Sequence, residues 1–175
     1  TSHNIVGRNW GTYGLEWEGK NQNEDIYFEG IRAGYDFIKT MGMKMAAGRS
    51  FSKDFGSDNS KIILNESAVN AMHLKKPIGT NIKLFDQKMQ IIGVVKNFHF
   101  ESLHEVVKPL FIMYQPGGDS WSKIMARIKS GHQKETFAAI QHFYESYNPG
   151  FPFSYNFLDE AYRKQYETEV RVSTL

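Results

Sequence analysis

Three side chains that can bind a metal ion, His99, Glu101 and His104, lie close together in the chain. Zinc accepts imidazole nitrogen and carboxylate oxygen, and catalytic zinc sites combine three such ligands with a water molecule. If residues 97–101 are extended, His99 and Glu101 point to the same face. His104 can then fold back from the following turn. This arrangement would suit a metal-dependent hydrolase.

The spacing of these residues argues against that chemistry. It matches neither H-E-x-x-H nor two histidines one helical turn apart. The alternative is that this segment is the end of a strand. Its polar side chains, which Glu105 follows, would then face outward between Phe98 and Phe100. We therefore expect no catalytic, cofactor-binding or metal-binding residues, and no cofactor.

Other reaction types lack their motifs. The sequence has no phosphate-binding glycine loop and no G-x-S-x-G. The absence of cysteine removes thiolate nucleophiles, disulfides and cysteine-ligated zinc. The acidic pairs, Asp54 with Asp58 and Asp159 with Glu160, are expected to be solvated loop and helix-start residues.

Trp10, Tyr13 and Trp17 bring three large rings close together near the N-terminus. They would form either a platform for a sugar or peptide, or the core on one face of a hairpin. Aromatic side chains of this size are usually well buried on average, which favours the core interpretation.

The bulk composition is typical of a globular protein of one domain or two small ones. The chain has 175 residues, of which 41% are hydrophobic and 23% charged. The net charge of +2 is too small to indicate nucleic-acid binding. No apolar run is long enough to span a bilayer. We interpret the sequence as a segment of a longer protein.

Hydrophobic periodicity predicts alternating strands and short helices. The first two strands are expected to form a hairpin, and the strands on either side of Asp86-Gln87 a second one. Gly42 is the expected end of the first helix and Asn65 the N-cap of the second. The predicted strands are residues 12–18, 26–33, 61–64, 81–85, 88–95, 109–115, 121–129 and 153–157, and the predicted helices are 35–41, 66–74, 132–147 and 159–175.

Three stretches carry a resemblance to a known family. They are residues 35–51 (YDFIKTMGMKMAAGRSF), residues 61–111, which include IILNESAVNAM, PIGT and IIGVVKNFHFESLHEVVKPLF, and residues 153–171 (FSYNFLDEAYRKQYETEVR). In order and spacing they resemble the periplasmic core domain of MacB-like ABC transporter permeases of the FtsX-like superfamily, of the type abundant in Bacteroidetes.

The resemblance implies an α+β fold with two small αβ subdomains. Residues 1–34 and 114–175 would form a porter-like part with a strand-helix-strand unit, and residues 35–113 an inserted mixed αβ subdomain. The helix and strand that open the family's porter-like part are expected to precede Thr1. The helix at 159–175 would lead to the membrane.

The resemblance also implies a periplasmic location and a mechanical role in a non-enzymatic domain. ATP hydrolysis would move the membrane helices, and the helix at 159–175 would pass that motion on. The implied partners are the membrane-embedded remainder of the permease and an ABC ATPase. An adaptor protein, an outer-membrane channel and a second permease copy are further candidate partners, and nucleic acid is not one.

Three alternatives remain open. The first is the ectodomain of a lipoprotein-releasing or cell-division FtsX-like permease, which would share the architecture. The second is a metal-dependent hydrolase that uses His99, Glu101 and His104. The third is a sugar-binding module that uses Trp10 and Trp17.

Overall fold

The computed structural model describes residues 10–21, 23–98, 106–115, 123–161 and 163. The chain divides into two compact units, Thr1–Met125 and Ala126–Leu175. Each unit is described by itself below. No helix within the described ranges is both long enough and apolar enough to cross a bilayer.

Within the described residues, the first unit contains one eight-stranded sheet, two α-helices and a 3₁₀ turn at Lys53–Phe55. The helices are α1 (Phe37–Met41) and α2 (Glu66–Ala71). The strands are β1 (Trp10–Thr12), β2 (Leu15–Trp17), β3 (Phe28–Ala33), β4 (Met45–Gly48), β5 (Lys61–Asn65), β6 (Asn81–Leu84), β7 (Gln87–Val95) and β8 (Leu110–Tyr114).

The sheet curls until its two edges meet. Its strand order is β1-β3-β8-β5-β7-β6-β2, with β4 added beside β7. Strands β1 and β2 are therefore the two ends of this path, yet only Tyr13 and Gly14 separate them in the chain. Because two residues span only a few ångströms, the sheet must close on itself at this point.

Both faces of the central strands are buried. One apolar cluster draws on β2, β3, β5, β6, β7 and β8 with Trp10 of β1 packed against it, so it fills the inside of the curled sheet. A second cluster lies on the opposite face, beneath α1 and Phe51. Ile62 and Leu64 belong to the first cluster and Ile63 to the second. This double burial explains the continuous apolar runs in β5, β7 and β8.

The predicted helix boundaries of the first unit are largely confirmed. Gly42 ends α1 in the left-handed conformation, φ 68°, and its N–H donates to the Lys39 carbonyl. Asn65 caps α2 by accepting the Ala68 N–H at 2.8 Å. The second helix is shorter than predicted, because it ends at Ala71 rather than at residue 74.

The two predicted hairpins have different outcomes. The β6–β7 hairpin is confirmed, with its turn one residue earlier, at Phe85-Asp86. The single strand predicted at 12–18 is wrong, because the chain bends at Tyr13-Gly14. Of these two strands, β1 pairs with β3, whereas β2 pairs with β6 on the other edge of the sheet. The closure of the sheet thus replaces a simple N-terminal hairpin.

The second unit contains the helix α3 (Gln133–Tyr147), as predicted. Phe137 contacts Tyr155 and Phe153, with ring centroids 4.2 and 5.4 Å apart. Tyr147, at the end of this helix, is 73% exposed. Residues 158–161 and 163 are helical, and the rest of the helix predicted at 159–175 lies outside the described residues.

The strands predicted on either side of α3 are absent from the described parts of 121–129 and 153–157. These segments alternate in sequence, but no described strand takes their backbone hydrogen bonds. An alternating pattern becomes a strand only when a neighbouring backbone pairs with it. Ile124 is accordingly 97% exposed.

The α+β class is confirmed by the mixture of one sheet with few helices. The predicted assignment of residues 1–34 and 114–175 to one part and 35–113 to another stays a prediction. Strands β3 and β8 pair in parallel.

Strand β4 crosses β7 at two glycines, since Gly48 pairs with Gly93. The Arg49 N–H donates to the Ile92 carbonyl at 3.0 Å. A Cβ on Gly93 would clash with the Arg49 carbonyl oxygen and lie 2.7 Å from the Met45 Cε atom. The backbones therefore approach too closely for any side chain at position 93.

We expect Gly93→Ala to lower the free energy of unfolding by about 2–3 kcal/mol, because a backbone oxygen must move. Gly34→Ala is the matched control, since a Cβ there meets no atom within 4 Å. Its effect should stay within about 0.5 kcal/mol. Urea denaturation of both variants measures the difference, and equal stabilities would contradict the role given to Gly93.

Candidate functional site

The candidate ligands His99, Glu101 and His104, with Glu105, lie outside the described residues. The metal-site hypothesis is therefore neither confirmed nor contradicted. Among the residues that the structure describes, no group of three or more His, Cys, Asp or Glu side chains could hold a metal ion. What the structure does describe is how the two flanks of this segment are held.

Asn65 fixes the flank that precedes β8. Its Oδ1 atom accepts the N–H groups of Ala68 and Leu110 at 2.8 and 2.9 Å, and its Nδ2 atom donates to the Lys108 carbonyl at 2.9 Å. Asn65 is fully buried. A single amide thus satisfies three backbone groups on two different segments, each of which would be unfavourable to bury unpaired.

The other flank is tied to the same end of α2. The Ser67 N–H donates to Asn97 Oδ1 at 2.9 Å, and the Asn97 N–H donates to Glu66 Oε2 at 2.9 Å. Ser67 Oγ donates to the Val107 carbonyl at 2.7 Å. The first residues of α2 therefore hold both Asn97 and Val107. We call Asn65, Glu66, Ser67 and Asn97 the anchor site.

A second polar centre locks the loop after β4. Arg49 forms a two-pronged ion pair with Asp58, at 2.8 and 3.2 Å. The second carboxylate oxygen also accepts the Ser52 N–H at 2.9 Å. The Arg49 guanidinium lies 4.2 Å from the centroid of the Phe55 ring. This geometry combines a bidentate pair with a cation–π contact, so the loop has one well-defined path.

The prediction that Asp58 is a solvated loop residue is wrong. Asp54, Asp159 and Glu160 are exposed as expected, but Asp58 is fully buried. Burial alone would raise the pKa of Asp58, yet the hydrogen bonds from Arg49 and Ser52 outweigh it and lower this pKa below its usual value. The sequence carried no signal for this pair, because a loop brings residues 49 and 58 together.

Tyr114 packs against two aromatic rings, those of Tyr35 and Phe51. Its ring lies 4.4 Å from that of Tyr35 and 5.7 Å from that of Phe51. Burial raises the pKa of Tyr114 to about 12, and the hydrogen bond with Tyr35 and the charge of Asp58 act in the same direction. The phenol is therefore protonated at neutral pH, and its ring packs between those of Tyr35 and Phe51.

The N-terminal rings are mostly core. Trp17 is buried and meets Phe28 edge-on at 6.0 Å. Trp10 is partly buried and packs edge-on against Phe111 at 5.4 Å. Only Tyr13 is largely exposed. The core interpretation is confirmed for Trp17, and a sugar platform that needs this ring is wrong.

The chain matches one family model. Residues 5–142 match the MacB-like periplasmic core domain. No curated protein matches the chain significantly. The family match covers both polar centres described above.

Several solved structures share the fold. The periplasmic region of MacB from Actinobacillus actinomycetemcomitans is 20% identical, with a TM-score of 0.51 over 80% of this chain and 65% of that one. A permease protein domain from Porphyromonas gingivalis is 16% identical, with a TM-score of 0.54 over 79% and 60%. The extracellular domain of the noncanonic ABC-type transporter YknZ from Gram-positive bacteria is 16% identical, with a TM-score of 0.52 over 81% and 74%.

The chain spans 65% and 60% of the lengths of the first two of these structures. At such low identities the likeness concerns the fold alone. It supports the α+β arrangement and gives no residue of the anchor site a role in transport.

We expect Asn65→Ala to lower the free energy of unfolding by about 2–4 kcal/mol, because it removes a helix cap and leaves two further backbone groups unpaired. Asn65→Asp keeps both acceptors but places a buried carboxylate oxygen against the Lys108 carbonyl, so it should be destabilising as well. Urea denaturation measures both changes. An alanine variant as stable as the parent would contradict the anchoring role.

The Arg49–Asp58 pair predicts a pH dependence of stability. Because the pKa of Asp58 is lower when folded, its contribution is present above the unfolded pKa of about 4 and is lost as the pH falls through the folded value. Asp58→Asn should lower stability by about 2 kcal/mol at pH 7. The difference in the free energy of unfolding between variant and parent should become smaller below about pH 4. Urea denaturation at several pH values measures this difference, and a difference that does not change with pH would contradict the prediction.

Proposed function

The chain belongs to the MacB-like periplasmic core domain family, and on that premise we propose that it transmits ATP-driven motion and contacts substrate or partner proteins during export. Domains of this family are periplasmic parts of inner-membrane ABC transporter permeases. The family match over residues 5–142 is the observation that carries the proposal.

The first unit has the properties of a body that moves without changing shape. Its central strands are buried on both faces, and its sheet closes through β1 and β2. Close-packed interiors have low compressibility and pass on displacement. The Arg49–Asp58 pair and the anchor site fix two of its loops. These features support a mechanical role, since loose loops would absorb an applied displacement.

The C-terminal segment supports the same proposal through its sequence. Leu158, Tyr162, Tyr166 and Val170 recur at intervals of four residues, as in an amphipathic helix. Residues 158–161 and 163 are helical, and the Ala161 N–H donates to the Phe157 carbonyl at 3.1 Å. The backbone hydrogen bonds along a helix resist compression, which suits it to relay movement from the membrane.

The family implies the membrane-embedded remainder of a permease and an ABC ATPase as partners. We propose further that a second permease copy, a periplasmic adaptor protein and an outer-membrane channel take part in the assembly. We also propose that residues 35–113 act as an inserted subdomain between two porter-like portions, 1–34 and 114–175. In this role the domain would have no catalytic residues.

We expect Gln165→Pro in the full-length permease to uncouple export from ATP hydrolysis. Proline removes a backbone hydrogen bond and clashes with the preceding turn, so it breaks or kinks a helix. Export should fall at least about tenfold, as an interrupted relay requires, while ATPase activity stays largely unchanged. Gln165→Ala, which preserves helix propensity, is the control. Normal export by the proline variant in cells would sink the proposal.

A further inference from the structure

The β6–β7 hairpin turns on two residues that are unusual for such a turn. Phe85 and Asp86 both have left-handed backbone conformations, with φ values of 48° and 64°. A two-residue turn of this kind strongly favours Asn-Gly or Asp-Gly. A bulky residue at positive φ is a genuine outlier, and such strain is concentrated at functional sites. The backbone preference of the turn therefore does not explain why phenylalanine occupies position 85.

The ring of Phe85 is both exposed and firmly seated. It is 58% exposed, and it stacks on Trp10 with ring centroids 6.2 Å apart and planes inclined by 25°. A Cβ on Gly14 would lie 3.2 Å from the Phe85 ring, so the ring rests close against the seam of the sheet. An exposed ring held in this way loses little conformational freedom when it binds.

Two lysines flank the turn in an arrangement that is unfavourable by itself. Lys83 and Lys88 face each other in the strand register and are both exposed. Like charges directly opposite each other are destabilising. Glu16 faces Lys83 on β2, but its carboxylate pairs with Lys20 at 2.9 Å. Within the described part of the chain, neither lysine of the hairpin forms an ion pair.

We propose that the hairpin tip, formed by Phe85, Lys83 and Lys88, binds an acidic segment of a partner protein that carries an aromatic anchor. Carboxylates of the partner would relieve the repulsion between the lysines, and its aromatic side chain would pack on the open face of Phe85. Asp86 adds one negative charge at the turn, which leaves the lysines in excess. Protein interfaces usually combine an apolar centre with a polar rim.

A peptide fits these features better than a bilayer does. Recognition of an anionic membrane surface uses clusters of roughly four to eight basic residues, and the hairpin offers two. The inference rests on the proposed function, since the partner would be met on the extracytoplasmic side during export.

The decisive variant combines Phe85→Asn with Asp86→Gly. It installs the preferred turn sequence, so its Tm should equal or exceed that of the parent. The probe is a fluorescein-labelled peptide, Glu-Glu-Phe-Glu-Glu, titrated against the 175-residue chain by fluorescence anisotropy at low salt. We expect the double variant, and separately Lys83→Glu with Lys88→Glu, to weaken binding at least about tenfold. Phe55→Ala removes an equally exposed ring elsewhere and should change the Kd less than about twofold.

Several results would overturn the proposal. They are the absence of saturable binding by the parent, equal binding of an all-glutamate peptide, and loss in the lysine variant without loss in the Phe85 variant. Binding of polygalacturonate or anionic vesicles through Phe85, without peptide binding, would indicate another class of ligand. If the turn variant has a lower Tm and also fails to bind, the lysine variant decides the test, provided that its Tm is unchanged: normal peptide binding by it would then overturn the proposal. The assay needs neither membrane nor ATP, so its failure and a failure of motional coupling are distinguishable.

Discussion

The closure of the sheet through residues 10–17 is the constraint on which the first unit depends. One short stretch supplies both edges, with β1 paired to β3 and β2 paired to β6. Seven strands then surround a single interior, where their apolar side chains form one cluster.

Closure of the sheet also explains why hydrogen bonds from buried polar side chains are needed where the chain leaves the sheet. Strands buried on both faces leave little space for solvent beside them, so departing backbone groups require protein partners. Asn65 supplies those partners before β8, and Asp58 supplies one for the Ser52 N–H in the loop after β4. Each tie joins positions far apart in the chain or across a loop. Together they convert a closed sheet with long connections into a unit with defined loop paths.

What the sequence could predict follows the same physics. Local signals were sufficient for Gly42, for the Asn65 cap and for the β6–β7 hairpin, because each depends on neighbouring residues only. The bend between β1 and β2 was missed, since alternation continues through Tyr13-Gly14 and only the distant partners β3 and β6 reveal it. The strand predictions at 121–129 and 153–157 are wrong for the opposite reason. These segments have the alternating pattern of a strand, but no backbone among the described residues pairs with them. At the candidate sites, the Asn65 cap was foreseen but its bonds to Lys108 and Leu110 were not, and the burial of Asp58 was not.

The two units differ in how densely they are packed. The first unit contains many side chains with almost no exposed surface, whereas α3 has no fully buried residue. Regions with few buried apolar contacts open locally at lower free energy than densely packed ones. A displacement applied to the first unit would therefore move it as a whole, because distortion would break many contacts at once. In the second unit, aromatic contacts such as Phe137 with Tyr155 can rearrange with the loss of fewer buried contacts, so local opening of this unit costs less free energy.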